Sequence, residues 1–177
     1  AATVAAALAP YRPVVPLEAP ACLDGGDVLR IDRALYVGTS GRTNMAGVEG
    51  LRAILAPHGY TVQAVTPHGC LHLKSACTYL GAGTVLVNDA WIDPAIFARL
   101  RVLRVPPEEP LAANALAVAG HVLLAAGNPV TAARVADAGF PVTVLDISEL
   151  QKAEAALTCN SILLDVPSPR GGGVPHG

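Results

Sequence analysis

Charge is scarce in this sequence. Only 15% of its 177 residues are charged, 12 Lys or Arg against 14 Asp or Glu, for a net charge of −2. Aromatic residues make up 4% and no basic cluster interleaves with them. Nucleic acid and anionic membrane surfaces therefore have no electrostatic footprint here. CxxC pairs are also absent. The four cysteines, Cys22, Cys70, Cys77 and Cys159, have no zinc-finger spacing with histidine, and they read as reduced thiols of a cytoplasmic protein. The opening AATVAAALAP is apolar, but the first arginine is Arg12, so it lacks the basic start of a secretory leader. The most apolar later stretch, NALAVAGHVLLAAGNP, is broken by Gly120, His121, Gly127 and Pro129. It reads as two strands and not as a membrane span.

What is present is apolar and repetitive. Hydrophobic residues make up 52% of the chain, enough for one sizeable core. One pattern of strand, strand, helix, strand occurs three times, with a period of about 40 residues. The first copy runs DVLRIDRALYVGT, NMAGVEGLRAILAPHG, YTVQAVTP. The second runs LHLKSACTYLGAGTVLVND, DPAIFARL, RVLRVPP. The third runs NALAVAGHVLLAAG, PVTAARVADAG, FPVTVLDI. In the first helix Val48, Leu51, Ile54 and Leu55 share a face, Thr43 or Asn44 caps the start, and Gly59 marks the stop. Asp93-Pro94 opens the second helix. Val130, Ala133, Val135 and Ala136 mark the third, which ends at Gly139. One such unit cannot bury both faces of its sheet, so the units must pack on one another. The chain thus reads as α/β, with a partial repeat domain over 1–165 and a Gly/Pro-rich disordered tail over 166–177.

Chemistry-bearing residues fall at the starts of these units. Asp24 precedes the first, in ACLDGGDVLR; His72 opens the second; Asn114 opens the third; Cys159 follows the third. Each has an ordinary reading. Asp24 and Asp27 around Gly25-Gly26 can be turn residues, His72 a buried core histidine, Asn114 a cap, and Cys159 an inert core thiol. If the units surround an axis, however, their starts converge on one pocket. A thiolate beside an imidazole and a carboxylate is the equipment of nucleophilic catalysis. Cys70, His72 and Cys77 lack a fourth ligand and carry little weight as a metal site; no cofactor is expected. A zinc site of Cys159, His72 and Asp24 with a water is the competing metal reading.

The motifs LDGGDV (23–28), GRTN (41–44), LHLKS (71–75), AAN (112–114) and LTCNS (157–161) together resemble the dimethylarginine dimethylaminohydrolases of the amidinotransferase, or guanidino-group-modifying, superfamily. The resemblance runs from about residue 10 to about residue 165. It implies a pentein-like α/β-propeller of five ββαβ units, with about three present and two missing at the amino terminus. It implies a methylated arginine as substrate, and Cys159 attacking the guanidinium carbon to form a covalent thiouronium. His72 would protonate the departing methylamine and then activate water, releasing citrulline. Asp24 would hold the guanidinium nitrogens and Arg42 the α-carboxylate. Asn114 and Glu154 are further substrate-binding candidates, and Asp27 and Lys74 supporting ones, Asp27 by bonding backbone within its turn. Asn160 stands where some relatives have a second cysteine. A homodimer is left open. The alternatives are an arginine or agmatine deiminase of the same superfamily, or an inactive fragment serving as an interaction module.

Overall fold

The computed structural model describes residues 2–153, 155–158 and 161–163. The chain divides into two units, Leu17–Ser161 and a smaller one formed by Ala1–Pro16 with Ile162–Gly177. The described part of the smaller unit holds one helix, α1 (Ala2–Leu8). The tail expected over 166–177 lies outside the described residues.

The larger unit has three sheets of three strands, each built the same way. In the first, β1 (Val28–Ile31) and β2 (Ala34–Gly38) form an antiparallel hairpin, and β3 (Thr61–Val65) returns parallel to β2. β4 (Cys77–Gly81), β5 (Thr84–Val87) and β6 (Arg101–Arg104) repeat this order. So do β7 (Leu116–Val118), β8 (His121–Ala125) and β9 (Val142–Leu145). Parallel return needs a crossover, and a helical segment supplies it each time. Each hairpin turns on a residue in the left-handed region: Asp32, Ala82-Gly83 and Ala119-Gly120. The last two have positive φ at both turn positions, the geometry that matches strand twist.

The crossovers differ in length. The first holds α2 (Met45–Leu55), capped by Asn44, whose side chain accepts from the Gly47 N–H. After it, a 3-10 turn Ala56–His58 ends at Gly59, whose φ is +74°. The second, expected as a helix over DPAIFARL, is one 3-10 turn, Pro94–Phe97, with Asp93 accepting from Ala95. The third holds α4 (Pro129–Asp137). Its buried face is Thr131 and Val135, while Val130 is exposed, so the apolar spacing misjudged this face. The LHLK segment, expected to begin a strand, instead forms a short helix α3 (Leu73–Ala76) ahead of β4. A last short helix, α5, spans Ser148–Gln151.

Apolar runs in the strands explain the packing, because the central strands are covered on both faces: β5 is buried at all four positions. Leu29 and Ile31 of the first sheet meet Val85, Val87 and Phe97 of the second unit. Leu80 and Leu86 of the second sheet meet Val122, Leu124 and Val135 of the third. Leu35, Val37 and Val62 pack with Val48 of α2. The first and second units thus each bury a sheet face against the unit that follows, and a buried Val or Leu contributes about 1.5–3 kcal/mol.

Candidate functional site

The site is built around α3. This helix packs on the 3-10 turn Gly25–Asp27 on one side and on the 3-10 turn Pro110–Ala113 on the other. It therefore brings the starts of all three units together, with His72 at its N-cap position.

Asp27 makes the first junction. Its carboxylate is wholly buried. One oxygen accepts from the Ser40 hydroxyl at 2.6 Å and the Thr43 hydroxyl at 2.7 Å. The other accepts from the Leu73 N–H at 3.0 Å. The Thr43 hydroxyl oxygen in turn accepts from the Asp24 N–H at 3.0 Å. One buried carboxylate thus ties Asp24, the GRTN loop and the residue after His72. Asp27 was expected to bond backbone within its own turn; its partners are side chains and an N–H from distant segments.

The glycine pair has two separate explanations. A Cβ on Gly25 would meet nothing within 4 Å, whereas a Cβ on Gly26 would lie 2.8 Å from Cγ of His72. The imidazole lies directly on Gly26, where only a residue without a side chain fits. Gly38 is similar: a Cβ there would stand 2.8 Å from Oδ1 of Asp27.

Asp24 and His72 lie side by side. Asp24 Oδ2 lies 3.4 Å from His72 Nε2 and 4.0 Å from a guanidinium nitrogen of Arg42. Its other oxygen accepts from the Gly26 N–H at 2.8 Å. That hydrogen bond lowers the Asp24 pKa most. Burial opposes the shift, and the charges of His72 and Arg42 add to it, leaving Asp24 below the ordinary carboxylate value. Asp24 is therefore an anion at neutral pH. His72 is buried, and its Nε2 has no hydrogen-bond partner among the described residues. A buried imidazole nitrogen left without a bond is costly unless a ligand supplies one.

The second junction places Asn114. The Thr78 hydroxyl of β4 donates to the Ala113 carbonyl at 2.7 Å, and its oxygen accepts from the Ala115 N–H at 3.2 Å. Asn114 is thus clipped on both sides and is buried. Its Oδ1 accepts from the hydroxyl of Thr158, the residue before Cys159, at 3.3 Å. His72 and Asn114 line one cavity of about 540 Å³, together with Cys70, Leu71, Trp91 and Leu111. Its size suits a small ligand.

The structure accordingly brings together Asp24, His72 and Arg42, and places Asn114 on the same cavity as His72. Arg42 is more than half exposed. Lys74 lies half-buried in α3 and does not line the cavity. Cys159 and Glu154, like Asn160, lie outside the described residues. Cys70 donates its thiol to the His72 carbonyl, and burial raises its pKa. Cys77 is buried, and burial pushes its thiol up too. Neither is an activated thiolate. Among the described residues no three His, Cys, Asp or Glu side chains are grouped to hold a metal ion. The sequence reading missed Trp91, Leu71 and Leu111 as cavity walls, because they are ordinary apolar residues in separate segments with no shared spacing.

No family model matches the chain. Among curated proteins it is 44% identical over 146 residues to the N(G),N(G)-dimethylarginine dimethylaminohydrolase of Streptomyces coelicolor, covering 82% of this chain and 55% of that protein. It is 32% identical over 146 residues to the enzyme of the same name from Pseudomonas aeruginosa, covering 82% of this chain and 58% of that one. A solved structure of the Pseudomonas aeruginosa enzyme, a Cys→Ser variant in complex with citrulline, superposes with a TM-score of 0.83 at 30% identity, over 87% of this chain and 61% of that one. An inosamine-phosphate amidinotransferase from Streptomyces griseus shares the fold, with a TM-score of 0.71 at 18% identity over 85% of this chain and 49% of that one. The chain is thus related to the dimethylarginine dimethylaminohydrolases and has their ββαβ-repeat fold. It spans little more than half the length of those curated relatives.

Proposed function

We propose that this chain carries the catalytic machinery of a hydrolase that cleaves N-omega-methylated arginine to citrulline and a methylamine. The observation that carries the reading is the pair of Asp24 and His72. An ionised carboxylate stands 3.4 Å from an imidazole nitrogen that is buried and otherwise unbonded. A planar cation rich in N–H groups, such as a guanidinium, can bond the carboxylate and present its leaving nitrogen to the imidazole. The 44% identity to a dimethylarginine dimethylaminohydrolase supports that substrate class. The citrulline in the Pseudomonas aeruginosa structure supports the product.

In this reading the thiolate of Cys159 adds to the guanidinium carbon, forming a C–S bond and a tetrahedral adduct. The C–N bond to the methylated nitrogen then breaks, and His72 gives that nitrogen a proton. A cationic S-alkylthiouronium remains. His72, now neutral, takes a proton from water as the water attacks the same carbon. Collapse expels the thiolate and releases the hydroxyl proton to solvent, where the departed amine takes one up, leaving the urea of citrulline and a protonated His72. Asp24 holds the guanidinium through charge-assisted bonds, and Arg42 swings from Asp24 to the α-carboxylate. Thr158, whose hydroxyl donates to Asn114 on the cavity, belongs to the LTCNS motif that carries Cys159. Glu154 is proposed as a further substrate contact. The three ββαβ units are read as blades of a propeller, and the setting as cytoplasmic, where Cys22, Cys70 and Cys77 stay free thiols. Among the described residues no helix is long and apolar enough to cross a membrane.

The test is citrulline release from asymmetric dimethylarginine, set beside arginine and agmatine. Turnover highest on the methylated substrate and abolished by Cys159→Ser is the expected result. Faster turnover of arginine or agmatine would assign the chain to the deiminases. No turnover, with Cys159 alkylated no faster than Cys22 at neutral pH, would leave a non-catalytic module.

A further inference from the structure

The three units differ in one respect that leaves space behind. Between the second and third sheets lies α4, nine residues long, with Val135 and Ala132 packed on Leu80 and Leu86. The equivalent place between the first and second sheets holds only the 3-10 turn Pro94–Phe97. One turn covers less of a sheet than nine helical residues do, since an α-helix advances about 1.5 Å per residue. The consequence shows in matched strand positions. Leu86 and Thr84 of β5 are buried beneath the third unit, whereas Tyr36 and Ala34 of β2 stay partly open. Over them is a groove of about 640 Å³, larger than the candidate catalytic cavity and sharing no lining residue with it.

The lining has two parts. Ile31, Tyr36, Ile96 and Leu100 form an apolar floor, with Tyr36 braced at 5.1 Å, ring to ring, on buried Phe97. Arg33, Arg99 and Asp32 stand at the mouth, beside Thr61 and Gln63. Arg33 donates to the His58 carbonyl and lies over the Tyr60 ring. Arg99 is exposed and has no hydrogen-bond or ion-pair partner among the described residues. Two guanidinium groups against one carboxylate leave a net single positive charge at the mouth.

We propose that this groove is a second binding site, for a small monocarboxylate with an apolar body. The body would lie on Tyr36, Ile96 and Leu100, and the carboxylate would take the planar fork of Arg99, assisted by Arg33. A single negative charge suits the mouth, because a dianion would meet Asp32 as well. The site rests on no part of the catalytic reading.

Phenylacetate is the probe, titrated into the 15N-labelled chain. The expected result is saturable movement of the amide signals of Thr61, Gln63 and Leu100. Phenylacetamide, the neutral isostere, should bind about tenfold more weakly, as should phenylacetate to Arg99→Gln. Thr61→Trp, at an exposed position, places an indole in the groove and should abolish the movement. The proposal is overturned by movement confined to Cys70–Ser75, by no saturation, or by equal affinity for the amide or for Arg99→Gln.

Discussion

Two neighbouring glycines, Gly25 and Gly26, should respond oppositely to one added methyl group. At Gly25 an alanine methyl would meet nothing within 4 Å. Neither glycine has a positive φ, so both backbones accept alanine. Gly25→Ala should then stabilise the fold slightly, by about 0.4–1 kcal/mol through the unfolded state, or ~1–4 °C in Tm. At Gly26 the methyl would lie 2.8 Å from Cγ, 2.9 Å from Cδ2 and 3.1 Å from Nδ1 of His72. Ordinary carbon contacts are about 3.5–4.0 Å, so the imidazole must retreat by roughly 0.7–1.2 Å. The Leu73 N–H is held by Asp27, so the backbone at His72 does not follow easily. Nε2 then leaves Asp24, and a misplacement of about 1 Å in a catalytic group costs on the order of 100-fold. Citrulline formation should fall about that far in kcat, with overpacking costing about 1–3 kcal/mol. The His72 ring signals in NMR should shift in Gly26→Ala and not in Gly25→Ala, a readout that needs no turnover. Equal behaviour of the two variants would refute the reasoning.

Asp27→Asn replaces an acceptor of three hydrogen bonds by a group with one acceptor oxygen. It should cost about 2–4 kcal/mol in chemical denaturation, and Asp27→Ala at least as much. Arg42→Lys keeps the charge but loses the planar fork. At a position more than half exposed, it should leave Tm unchanged and raise KM roughly 10-fold or more with a smaller effect on kcat. Glu109 caps α4 from the neighbouring loop, accepting from the Val130 and Thr131 N–H groups at 2.8 and 2.7 Å. Burial alone would raise its pKa, but the bonds from Thr131 and Val130 and the charge of Arg134 together outweigh it, and the pKa falls below the ordinary 4.5. A carboxyl lowered on folding stabilises fully above its unfolded pKa. That contribution is lost as pH falls through the folded value. Glu109→Gln should therefore lose stability near neutral pH, about 1 kcal/mol as for a lost cap, and flatten the decline below pH ~4.5 seen by thermal melts. An unchanged acid limb would contradict the assignment.

The repeat was legible because its signals are local. Asn44 and Asp93 before their helical segments, Gly59 and Gly139 after theirs, and short Val/Leu/Ile-rich runs in the strands each act within a few residues. Where local signals were weak the reading slipped. DPAIFARL forms only the 3-10 turn Pro94–Phe97 before β6, although its cap and proline are those of a helix start. In α4 the apolar spacing runs through Val130, Ala133 and Ala136, all exposed, while Thr131 is the residue buried beside Val135. The closeness of Asp24 to His72 depends on how separate units are arranged, which no single segment spells out.

By itself, then, the sequence determined the ββαβ units, their caps and turns, and the residue types that stand at unit starts. Neighbours along the chain are enough to specify those. Only the tertiary structure decided what Asp27 does, because its three partners lie 13, 16 and 46 residues away. It also decided which glycine lies against the imidazole, which apolar residues wall the cavity, and where a short crossover leaves a groove. These are properties of surfaces brought together by folding, and no spacing within a single segment encodes them.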